Sequence, residues 1–68
     1  ERLELLEDVL AKIAEPNRSL LLLHEGRDRS VAELAQQFDL SPEAVKARLK
    51  RTRGIVRQRL LQIADQEI

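Results

Sequence analysis

Cysteine, methionine, tryptophan and tyrosine are all missing from this 68-residue chain, and Phe38 is its single aromatic residue. Without cysteine there is no disulfide and no thiolate metal site, and one histidine, His24, cannot build a zinc centre by itself. A lone aromatic, placed on an apolar helix face, leaves no platform for stacking single-stranded bases. The longest unbroken apolar run is Leu20 to Leu23, far short of a membrane span, and no signal-peptide pattern opens the chain, so a soluble cytoplasmic protein is expected. The lack of any methionine, an initiator included, is what a segment of a longer protein would show. No nucleophile–base pair or phosphate-cradling glycine loop is present, and each carboxylate sits where capping, the helix dipole or solvation explains it. The chain therefore reads as no enzyme, with no cofactor, no metal and no small-molecule substrate.

What is present is charge, and it is segregated. The formal net charge is zero, yet residues 42–60 hold seven basic side chains against one acidic, a net of +6, while residues 1–15 sum to −3. A local basic helix of this kind is only partly screened by a distant acidic one at a Debye length of about 8 Å. So short a chain buries only about 60% of its unfolded surface, which limits it to one domain, residues 1–68, with three or four helices round one small core.

The residues from Ser30 to Leu60 predict two helices joined by a tight corner. Ser30 with Glu33 three positions on is a capping box, and Val31, Leu34, Ala35 and Phe38 form the apolar face that follows. Ser41 is a second N-cap, with Pro42 at the first helical position and Glu43 in the first turn. Beyond it Val45, Leu49, Thr52, Val56, Leu60 and Ile63 fall on one stripe of a helical wheel. The opposite side collects Glu43, Lys46, Ala47, Lys50, Arg51, Gly54, Arg57 and Gln58, and Arg48, Arg53 and Arg59 flank the stripe. Long cationic side chains around small Ala47 and Gly54 suit insertion into a DNA major groove. A solvated bundle face is the bland alternative for such a charge run.

Upstream, Glu1 to Ala14 spaces Leu3, Leu6, Val9 or Leu10, and Ile13 as an amphipathic helix, which Pro16 ends. A second helix follows to Glu25, with Gly26 as its expected C-terminal cap. The expectation is an all-α, small four-helix domain containing a helix-turn-helix, with helices near residues 2–14, 17–25, 30–38 and 42–65. Leu34, Ala35, Phe38, Leu40, Val45 and Leu49 should meet in one core. His24, near a helix C-terminus and without an acid or base partner in sequence, reads as structural.

With these strings laid out, RSLLLLHEG, SVAELA, FDLS and VKARLKRTR, the chain from Leu5 to Leu60 resembles region 4 of bacterial RNA polymerase sigma factors, particularly the small extracytoplasmic-function group. The last string is the most specific. Asp39 stands where that family usually has a corner glycine, Pro16 falls about two residues late, and the connection Arg27 to Arg29 is long. The resemblance implies a four-helix fold whose recognition helix reads the minus-35 element of double-stranded promoter DNA. It implies DNA contacts from among Ser41, Glu43, Lys46, Ala47, Arg48, Lys50, Arg51 and Arg53, with Lys46, Ala47, Lys50 and Arg51 facing the groove and Arg48 and Arg53 on phosphates. As partners it implies the flap region of the RNA polymerase core and an anti-sigma factor. Two other readings stand beside it. One is a response-regulator type of helix-turn-helix, whose usual Val-Lys-x-His is here VKARL. The other is a sigma-like module that binds only protein.

Leu20 to Leu23 spread over about 300° of a helical wheel, more than one small core covers. Either the first helix sandwiches them, or part of Leu20–Leu23 or Leu5 and Leu6 stays exposed as a docking patch. In the docking case the acidic Glu4, Glu7 and Asp8 would favour a basic rim on the partner.

Overall fold

The computed structural model describes residues 2–66, and the side chains of residues 7–64. Four helices run in order, α1 Arg2–Ala11, α2 Asn17–Gly26, α3 Val31–Gln37 and α4 Pro42–Gln66, with no strand among the described residues. α1 stops three residues before the expected Ala14. The amides of Lys12 and Ile13 bond back to the carbonyls of Val9 and Leu10 at 3.2 and 3.0 Å, tightening the last turn. That turn leaves Ile13 buried along with Val9. Leu3 and Leu6, the rest of the expected apolar face, and Leu5, expected with Leu6 in a docking patch, lie outside the described side chains.

α2 starts on Pro16, which offers no side-chain cap. Glu15 supplies one instead: its carboxylate accepts from the Ser19 amide at 3.0 Å and pairs with Arg18 at 3.1 Å. A second Arg18 nitrogen donates to the free Ala11 carbonyl at the end of α1, 3.3 Å away. At the other end of α2 the expected role of Gly26 is not realised. Gly26 is still helical and has no positive φ; the left-handed residue is Asp28, φ 54°. A short polar side chain tolerates that conformation, so the reversal moves two residues downstream. The amides of Arg27 and Arg29 both reach the Leu23 carbonyl at 3.1 Å. His24 closes the same loop, its Nδ1 lying 2.8 Å from the Arg29 carbonyl, so that nitrogen carries the proton.

The helix-turn-helix forms as its caps dictate. Both halves of the Ser30–Glu33 box are made, 2.8 Å from the Ser30 amide to the Glu33 carboxylate and 3.1 Å from the Glu33 amide to the Ser30 hydroxyl. α3 ends in a Schellman turn: Leu40 donates to the Ala35 carbonyl at 2.9 Å, and Asp39 stands at φ 55° where glycine is usual. One residue later Ser41 accepts from the Ala44 amide at 3.1 Å and α4 begins.

Leu20, Leu21, Leu34, Ala35, Val45 and Leu49 are the buried core, edged by the partly covered Phe38 and Leu40. Phe38 and Leu40 thus belong at its border rather than its centre, and Leu20 and Leu21 take the centre from α2. Thr52 is wholly buried and satisfied, its hydroxyl donating to the Arg48 carbonyl at 2.6 Å. α4 has 25 residues and is therefore about 37 Å long, in a domain of 43 × 18 × 17 Å. It outruns the other helices. Its stripe is buried at Val45, Leu49 and Thr52, half-buried at Val56 and Ile63, and exposed at Leu60.

Candidate nucleic-acid interface

α4 presents one continuous cationic face because its opposite stripe is fixed in the core by Val45, Leu49 and Thr52. Glu43, Lys46, Ala47, Lys50 and Arg51 are all exposed on that face. The two ion pairs among the described residues are Arg18–Glu15 and Arg53–Glu25, so Lys46, Lys50 and Arg51 present their full charge outward. Ser41 sits at the head of the face with its hydroxyl occupied as the N-cap. The helix before it, α3, is fixed at its start by its capping box. There the Ser30 amide first, and its hydroxyl second, hold the Glu33 carboxyl below its ordinary pKa.

Arg48 and Arg53 are placed differently from their neighbours. The Arg48 guanidinium is half-buried and donates to the Asn17 side-chain oxygen at 3.0 Å. Arg53 holds Glu25 through two nitrogens, at 2.8 and 2.7 Å. Asn17 and Glu25 lie at the two ends of α2, so these contacts strap α2 to the recognition helix at two separate points. Linear spacing carries no trace of either strap, since their partners are 31 and 28 residues apart.

The second feature is an apolar groove beside the cationic face. Leu10, Leu21, Leu22, Val56, Leu60 and Leu61 line it, with Glu25, Arg53 and Arg57 at its edge, and its volume is about 670 Å³. Leu22 is 46% exposed and Leu61 56%, too much apolar surface for a stripe that a neighbour covers. Of the four leucines, Leu20 and Leu21 are buried, Leu23 is half-buried and Leu22 turns outward, so part of the run stays exposed. Of the acids expected beside a docking patch, Glu7 and Asp8 are exposed but do not line the groove, and Glu4 lies outside the described side chains. Arg57 is in no ion pair among the described residues, and Glu25 is already neutralised by Arg53. Leu60 and Leu61 were not legible as groove residues, because periodicity assigns a face without saying whether anything covers it.

Among the described residues no group of histidine and acidic side chains is arranged to hold a metal, and no helix is long and apolar enough to cross a membrane. Compared with known families, residues 3–54, well over half of the chain, match the family model described as Sigma-70, region 4. No curated protein and no solved structure matches.

Proposed function

The chain belongs to the sigma-70 region 4 family, and on that premise we propose that it reads the minus-35 promoter element in transcription initiation. Its DNA would be double-stranded, and its place the cytoplasm. The observation that carries this reading is the unpaired cationic face of α4, exposed from Glu43 to Arg51 behind a corner whose caps are all made. Lys46, Lys50 and Arg51 would reach base edges or adjacent phosphates, as Lys and Arg do with guanine O6 and N7. Small Ala47 between them lets the helix approach, and Glu43 can accept from a cytosine amino group. Ser41 fixes the first turn against the DNA. Arg48 and Arg53, expected at phosphates from the resemblance, act instead by holding the recognition helix at its angle to α2. The string VKARLKRTR supports placement in the extracytoplasmic-function group, and the family match weighs against the response-regulator alternative.

Polymerase engages the other face. An amphipathic helix of the polymerase flap would lay its apolar side in the groove of Leu22, Val56 and Leu61. An anti-sigma factor that used the same groove would compete with the flap. The role is one of binding, without catalysis.

Selection of duplexes from a random library tests the DNA reading, followed by titration of the selected duplex against Lys46→Ala, Lys50→Ala and Arg51→Ala. Each variant should lose about 1–3 kcal/mol of specific binding. An affinity that ignores salt between dilute and physiological buffer would refute it, because every phosphate contact releases counterions.

A further inference from the structure

Gly54 stands in the middle of α4 with nothing in the fold that calls for glycine. It has no positive φ, and a Cβ placed on it would meet no atom within 4 Å. Glycine in a helix interior is weaker than alanine, so the fold gains nothing from it. On a helix surface a residue's neighbours are three and four positions away. For Gly54 they are Lys50, Arg51, Arg57 and Gln58, all exposed. None of the four is in an ion pair among the described residues. Arg51, Arg57, Gln58, Arg59 and Gln62 surround a shallow depression that has Gly54 in its wall. Half-buried backbone with room beside it for a Cβ is thus ringed by three cations and an amide.

We infer that this ring is a binding site for the sugar-phosphate backbone of duplex DNA, with Gly54 its point of closest approach. The inference rests on the promoter reading above and extends it to residues that reading leaves out, Gly54, Arg57 and Gln58. Gly54 lies about 18 Å along the helix from Pro42, and the major groove of B-DNA is about 12 Å wide. A recognition helix that enters by its first turns and crosses the groove has spanned it by Gly54. The next object it meets is the strand that borders the groove. That strand offers an anion to Arg57, Lys50 and Arg51, each able to make charge-assisted hydrogen bonds to phosphate oxygens, and the Gln58 amide adds a neutral donor. A side chain at position 54 would hold the strand off all four. An acidic protein surface would also pair with the cations, but it would leave binding to bare DNA unaffected.

The test uses the whole chain with a selected duplex and a scrambled one, titrated from about 50 to 200 mM salt. Gly54→Gln should melt at or above the wild-type temperature, since glutamine is the better helix former, and bind both duplexes about tenfold more weakly. Arg57→Ala should lower the slope of log affinity against log salt by about one. The preference for the selected duplex should stay as it is. Wild-type binding with Gly54→Gln and Arg57→Ala indistinguishable from it overturns the inference alone. A wild-type chain that binds neither duplex overturns the promoter reading and this inference together.

Discussion

A double-mutant cycle on Asn17 and Arg48 asks whether the recognition helix is strapped to α2 or whether Arg48 serves the DNA. The bond is 3.0 Å long and half-buried, with a charged donor. Hydrogen bonds to charged groups contribute roughly 1.5–3 kcal/mol, and partial access to water brings this one to about 1. Asn17→Ala should therefore cost about 1 kcal/mol, and Arg48→Ala somewhat more, because its hydrocarbon stem also packs. The double variant should cost no more than Arg48→Ala, leaving a coupling of about 1 kcal/mol. In thermal unfolding, 1 kcal/mol moves the midpoint of a domain this size by about 4–8 °C. The DNA readout separates the two roles. If Arg48 is a strap, its removal leaves the salt slope of DNA binding unchanged. Asn17→Ala, remote from the cationic face, should then weaken specific binding as well, by relaxing the angle of the helix. A coupling near zero, together with a slope lower by about one in Arg48→Ala, would refute the strap and put Arg48 on a phosphate.

Three further outcomes are expected. Leu49, 2% exposed at the centre of the stripe, should cost about 3 kcal/mol when replaced by alanine. A loss below about 1 kcal/mol in denaturant titration would mean that the stripe is not the core. Leu22→Asp should abolish capture of the flap helix and leave DNA affinity within about threefold, since Leu22 is 46% exposed and lies off the cationic face; retained flap binding would remove the groove as the docking site. The third concerns acid. Because Glu33 has its pKa lowered in the folded state by the Ser30 amide and hydroxyl, its contribution is present above the unfolded carboxylate value of about 4.3 and is lost as pH falls through the folded one. Glu33→Gln keeps an acceptor for the box and should flatten that part of the acid loss in melting temperature; equal acid slopes in both proteins would show that the box carries none of it.

The parts of this fold that were readable are those set by neighbours in sequence. Ser30 with Glu33, and Ser41 with Pro42, announce helix starts because a cap acts over three residues, and both caps are made. Asp39 as the left-handed corner follows the same logic. Gly26 misled for an instructive reason. Glycine marks where a left-handed residue is cheap, but the chain reverses where the following bonds can close, and Asp28 with the Leu23 carbonyl closes them. α1 ended early because three-residue bonds at Lys12 and Ile13 compete with helix continuation, a choice made by burying Ile13 and invisible to periodicity.

The candidate site divides along the same line. A helical wheel finds the cationic face, because that face is the complement of the core stripe and both follow from 3.6 residues per turn. It cannot tell which cations are free. Arg48 and Lys50 are two residues apart in sequence, but one turns to Asn17 on α2 while the other stays exposed, and only the crossing of two helices decides between them. Nor can a wheel tell where a stripe loses its cover. Val45 and Leu60 lie on one stripe, yet Val45 is fully buried and Leu60 is 37% exposed, because α2 and α3 are 10 and 7 residues long against 25 in α4. Two helices of that length cannot shield a rod of about 37 Å from end to end. The uncovered remainder is where Leu22, Leu60 and Leu61 stay open to a partner. With Ile63 still half-buried further along, α4 loses its cover on one side only, and that side carries the second surface proposed beside the first.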